Sequence, residues 1–109
     1  MTLDTVEITL GAFSAIPSGE GRTYSVQGES IAVFRTRRGE VFAVQASCPH
    51  RGGPLADGLI GGTTLICPLH SWKFDLATGS ALFGDCGIKT FPVRVDEDGR
   101  IVVTLEKKN

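Results

Sequence analysis

Apolar and polar residues alternate along this chain with a period of two, the spacing of a strand buried on one face. Val6–Leu10 reads V-E-I-T-L, and Arg22–Val26 continues in a shorter, partly alternating style. Ile31–Thr36 (IAVFRT) and Val41–Ala46 (VFAVQA) flank Arg37-Arg38-Gly39-Glu40, a hairpin turn by composition, and Gln27-Gly28-Glu29-Ser30 reads as the turn before them. Thr63–Cys67, Trp72–Asp75, Ile88–Val95 and Arg100–Leu105 complete the predicted strands, with Asp96-Glu97-Asp98-Gly99 turning between the last two. No window carries a sustained 3.6-residue apolar stripe, and Pro54–Leu59 has room for one turn of helix at most. The 14 glycines and 5 prolines punctuate the strands closely, as an all-β sandwich or barrel requires.

Composition narrows the class. At 109 residues the chain is expected to be a single domain, 1–109, with a modest core and no interdomain linker or internal repeat. Its formal charge of −1 and the lack of any Lys/Arg run argue against a nucleic-acid partner. Met1–Leu10 is too polar for a signal peptide, and no apolar stretch approaches the roughly 20 residues that span a bilayer. The expectation is a cytoplasmic protein with no membrane partner. The 3 cysteines are an odd count that argues against a disulfide framework and fits a reducing compartment. Cys86 is expected to be a small, partly buried residue in a Gly-rich turn.

The candidate chemistry lies in two short stretches, Cys48-Pro49-His50 and Cys67-Pro68-Leu69-His70, separated by residues 51 to 66. They contain both histidines of the chain, and each stretch offers one sulfur and one nitrogen ligand. Each starts where a predicted strand ends and is followed by residues that permit a bend: Gly52, Gly53 and Pro54, then Ser71. Two such loops facing each other at one end of a β-structure can close on a single metal centre. Three readings compete. Buried cysteines and hydrogen-bonded histidines can adjoin by coincidence. A Cys₂His₂ set suits structural zinc, which makes a zinc-binding β-module for scaffolding or interaction the alternative of another class. Zinc sites more often pair like with like, whereas this chain alternates Cys-His with Cys-His. The third reading is an iron–sulfur centre in which two histidines replace two cysteines on one iron.

Cys48-Pro49-His50-Arg51-Gly52-Gly53 and Cys67-Pro68-Leu69-His70-Ser71-Trp72 resemble the two cluster-binding boxes of Rieske-type [2Fe–2S] proteins. Phe74–Gly79 matches the segment that follows the second box, and Ile88–Val103 resembles the closing hairpin of soluble Rieske ferredoxins, so the likeness runs from about residue 6 onward. The resemblance implies a Rieske-like antiparallel β-sandwich with a small cluster-binding subdomain formed by two loops, about 47–54 and 67–75. It also implies one [2Fe–2S] cluster held by Cys48, His50, Cys67 and His70, with both thiolates on one iron and both imidazoles on the other. Gly52, Gly53, Trp72 and Phe74 would surround it: the glycines for turn geometry or amide approach to the sulfides, and Trp72 for water exclusion or ordinary core packing. Arg51 and Lys73 are candidates for a basic rim, and Pro49 and Pro68 for stiffening the loops.

Departures from the family pattern refine the expectation. High-potential respiratory members carry an extra cysteine in each box, at positions that are Gly53 and Leu69 here, so the bridging disulfide cannot form. They also place serine and tyrosine hydroxyls near sulfur, where this chain has Trp72 and Phe74. Fewer hydrogen bonds to sulfur leave the reduced cluster less stabilised, which predicts a low-potential member. A midpoint well above roughly +100 mV, inside the Rieske span, would contradict this. No catalytic residue set and no nucleotide fingerprint stands beside the boxes. The resemblance therefore implies an electron carrier or electron-transfer subunit working with redox partner proteins, a reductase, a terminal oxidoreductase or both. The H-x-W-x-F-D-L-x-T-G run and the G-x-K-T-F-P-V-R-V ending resemble the small subunit of assimilatory NAD(P)H nitrite reductases, with ferredoxin components of ring-hydroxylating dioxygenase systems as the alternative.

Overall fold

The computed structural model describes residues 5–49, 52–68, 72–84 and 86–106. Eleven strands fill it: β1 (Thr5–Ala12), β2 (Glu20–Val26), β3 (Glu29–Arg35), β4 (Val41–Gln45), β5 (Leu59–Gly61), β6 (Thr64–Ile66), β7 (Lys73–Asp75), β8 (Ala81–Phe83), β9 (Thr90–Phe91), β10 (Val93–Val95) and β11 (Arg100–Glu106). They form three antiparallel sheets, ordered β1-β11-β10, β2-β3-β4-β9 and β5-β6-β7-β8. Short 3-10 turns occupy Phe13–Ala15 and Leu55–Asp57, the second inside the stretch that had room for one helical turn.

The middle sheet is buried on both faces, and β3 shows why its sequence reads as a continuous apolar run. Ile31 and Val33 point into one core with Ala43, Phe91, Ile101, Val103 and Leu105. Ala32 and Phe34 point into a second core with Val44, Leu55, Leu65, Phe74 and Leu76. The period-two geometry of a strand sends adjacent residues to opposite sides. One strand therefore supports two cores: the first against the β1-β11-β10 sheet, the second against the β5–β8 sheet. Phe34 is fully buried and lies over Gly21, where an added Cβ would meet its ring at 2.5 Å.

Two expectations need correction. The run 88–95 is two strands, not one: β9 pairs with β4 while β10 pairs with β11. Pro92 stands at the break; it has no amide to continue a ladder, and its carbonyl accepts the Thr104 amide at 2.9 Å. Secondly, the small subdomain is more than two loops, since the loops are mounted on the four-stranded β5–β8 sheet. Its outer strands, β5 and β8, are three residues long and carry the exposed Leu59, Leu82 and Phe83. Segments this short, without polar alternation, give no strand period to detect. Among the described residues no helix is long and apolar enough to cross a membrane.

Candidate metal centre

The first box is a narrow excursion from the end of β4. Its base is closed by the Leu55 amide donating to the Ala46 carbonyl at 2.9 Å and by an antiparallel bridge between Ser47 and Pro54. One step further in, the Cys48 amide donates to the Gly53 carbonyl at 2.8 Å, and the Gly52 amide donates to the Cys48 carbonyl at 2.8 Å. Gly52 has φ +69° with open space around its α-carbon, so the turn needs glycine for backbone conformation and not for room. Its amide is engaged inside the turn, which supports the turn-geometry reading of this residue. Gly53 is buried.

Gln45 is a residue that sequence reasoning missed. Its side-chain amide donates to the Ser47 carbonyl at 2.6 Å, and its Oε1 accepts the Lys89 amide at 2.8 Å. One side chain thus ties the base of the first box to the segment leading into β9. Nothing in a lone glutamine at a strand end signals this, because its partner is 44 residues away.

The second box leaves β6 in the same manner. The Cys67 amide donates to the Trp72 carbonyl at 2.7 Å, closing the loop from 67 to 72 before β7 begins. Trp72 is partly buried and Phe74 fully buried; their ring centroids are 6.5 Å apart with a tilted geometry of 47°. Both side chains pack in or against the core formed with Phe34. The segments flanking the two boxes pass close through backbone: a Cβ at Gly58 would strike the Ile66 carbonyl oxygen and approach that of Leu55 at 3.1 Å. Close passage at this glycine sets the turn after the first box against the residue preceding Cys67.

Cys48 and Cys67 are 2% and 1% exposed, are not joined in a disulfide, and belong to the same apolar cluster. Both thiols thus stand in one apolar cluster, each at the start of a loop closed by backbone hydrogen bonds, where the expected ligand set has its two sulfur donors. Soft sulfur donors in a low-dielectric setting suit iron or zinc and disfavour hard oxygen-seeking cations. His50, Arg51, Leu69, His70 and Ser71 lie outside the described residues. Among the described residues no group of three or more His, Cys, Asp or Glu side chains gathers, as follows when the imidazoles are not included. Lys73 is exposed on β7. Cys86 is exposed, a correction to its expected partial burial; Gly84 and Gly87 near it are exposed as well.

Comparison with known proteins agrees with this geometry. The model of the Rieske [2Fe-2S] domain family matches residues 7–92, and the chain belongs to that family. The cofactor of the domain is one [2Fe–2S] cluster. The ferredoxin component of a naphthalene 1,2-dioxygenase system from Pseudomonas aeruginosa is 34% identical over 96 residues, 86% of this chain and 90% of its own length. Among solved structures, one described as an NADH-dependent nitrite reductase small subunit from Mycobacterium tuberculosis superimposes with a TM-score of 0.88 at 27% identity, covering 96% of this chain and 99% of that one. The ferredoxin of carbazole 1,9a-dioxygenase from Nocardioides aromaticivorans IC177 gives 0.80 at 25% identity, covering 89% and 95%.

Proposed function

We propose that residues 1–109 form a single Rieske domain that acts as a cytoplasmic one-electron carrier, with Cys48, His50, Cys67 and His70 as the ligands. The observation that carries this reading is the burial of Cys48 and Cys67 in one apolar cluster of a chain in the Rieske family. When bound, the cluster supplies reversible one-electron exchange. The protein's part is to hold, screen and present it. Hydrogen-bonded loop bases fix where the two thiols stand, and the Phe34–Leu65–Phe74 core excludes water from their inner side.

The reading includes a low midpoint for a Rieske centre, since Phe74 and Trp72 bring no hydroxyl to the sulfurs. Phe74→Tyr tests it. A phenol hydroxyl that reaches a cysteine or sulfide sulfur stabilises the reduced cluster by about 1 kcal/mol, which raises a one-electron midpoint by about 40 mV. An unchanged midpoint in protein film voltammetry would mean that sulfur hydrogen bonding at this position does not set the potential.

Two partner assignments have specific support. The TM-score of 0.88 over nearly the full length of both chains favours the small electron-transfer subunit of an NAD(P)H nitrite reductase. The 34% identity over 96 residues favours the ferredoxin component of a dioxygenase system. Reduced protein mixed with either partner decides between them. Nitrite-dependent reoxidation through a nitrite reductase catalytic subunit supports the first, and reoxidation only with an aromatic-ring oxygenase supports the second. Reoxidation by neither removes both.

A further inference from the structure

Resting on the Rieske reading, the structure assigns a further positioning role to Gly84, which has no ligand chemistry of its own. Strand β8 runs antiparallel to β7, with Lys73 opposite Phe83 and Phe74 opposite Ala81. One step beyond the Lys73–Phe83 pair, Trp72 and residue 84 face each other. Gly84 has φ +125° and its α-carbon lies flat against the indole. A methyl group built there would fall 2.5 Å from Cδ2 and 2.9 Å from Cζ3 of Trp72, and nearer still to Cε3. No L side chain fits in that space without moving the ring.

The contact matters because of what Trp72 is attached to. Its carbonyl receives the Cys67 amide, so the residue that carries the indole also closes the loop of the second box. Its ring packs against the core that contains both thiols. The far end of the β8 excursion is equally tight. The Ile88 amide donates to the Gly79 carbonyl at 2.8 Å, and a Cβ at Gly87 would lie 2.6 Å from the same oxygen. Paired to β7 and pinned at its base, the excursion cannot easily retreat if residue 84 grows. Displacement therefore falls on Trp72. We infer that Gly84 seats the indole over the cluster end of the subdomain, and thereby holds water away from the cluster and the second box in place.

Trp72 is the single tryptophan of the chain, so its emission reports this seat directly. In purified, cluster-loaded Gly84→Ala, acrylamide quenching of Trp72 is expected to increase about twofold as the ring gains solvent. The midpoint should rise, because admitted water stabilises the more negative reduced cluster. The expected size is a threefold or larger shift toward the reduced state, about 30 mV for one electron. Alanine at this φ also carries backbone strain, so the decisive comparison is made in a Trp72→Leu background. There the added methyl has no ring to strike, and Gly84→Ala should shift the midpoint little further. An equal shift in both backgrounds would overturn the inference, leaving backbone strain as the whole effect. If Gly84→Ala alone fails to fold, recovery of folding and colour in the double variant supports the inference, and failure of the double variant overturns it. The quenching measurement needs no cluster, so a colourless protein would refute the Rieske reading while the seat is still tested.

Discussion

Replacing Cys67 with alanine is expected to strip the purified protein of iron and visible colour, lowering both by more than tenfold per chain, because Cys48 is the one other sulfur side chain among the described residues of that buried cluster and none stands there to replace Cys67. Cys48→Ala should behave alike. Fold loss is not the cause in this account. Each thiol is a small buried group, and trimming one to a methyl costs about 1 kcal/mol in transfer terms, little against a total of about 5–15 kcal/mol. Far-UV circular dichroism should therefore survive. Cys86→Ala is the matched control: the residue is exposed and should leave iron content unchanged. If Cys67→Ala retained full iron and lost only a little stability, Cys67 would be an ordinary core residue.

The second large effect is on stability, and it is directional across β3. Phe34 is fully buried in the core shared with Cys48 and Cys67, and Val33 is fully buried in the opposite core. Phe34→Ala removes an aromatic ring from a packed site and should cost about 3–5 kcal/mol. At this chain length that lowers Tm by about 4–8 °C for each kcal/mol, so the drop should be well over 10 °C. It should also speed iron release to a chelator, since the emptied volume lies in the cluster that holds both thiols. Val33→Ala should cost less, about 1.5 kcal/mol or somewhat more. It should leave iron release near the wild-type rate in the folded protein. Equal acceleration by both variants would show that the two cores do not act separately.

How much was legible in advance follows from the physics of each segment. β3 and β4 were readable because each carries four consecutive apolar residues, 31–34 and 41–44, rich in β-branched and aromatic side chains and set between turn-forming clusters. The Gln27-Gly28 turn was readable too, although Glu29 and Ser30 already belong to β3. The third sheet was only half visible. Thr64–Ile66 and Lys73–Asp75 lie within predicted strands, while Leu59–Gly61 and Ala81–Phe83 are three-residue edges whose formation depends on those neighbours. The split at Pro92 was written in the sequence, yet a change of sheet is a tertiary fact that a local pattern does not contain.

The site divides similarly. Cys48 and Cys67 stood out as candidates by their pairing with the two histidines, and the fold places both thiols in one core. The residues that fix the boxes were hidden. Gln45 acts on Lys89, Gly58 on Ile66 and Gly84 on Trp72, all contacts between separate segments. A glycine required because another chain segment passes close by looks, in sequence, like any other turn glycine.

The central claim is that the paired Cys-His boxes hold one [2Fe–2S] cluster, and its most direct test is metal and sulfide analysis combined with electron paramagnetic resonance. The expected result is a red-brown protein with two iron and two acid-labile sulfide per chain, silent when oxidised and giving an axial signal after reduction. A colourless protein containing one zinc per chain, with no sulfide and no signal on reduction, would contradict it and make the two boxes a structural zinc site.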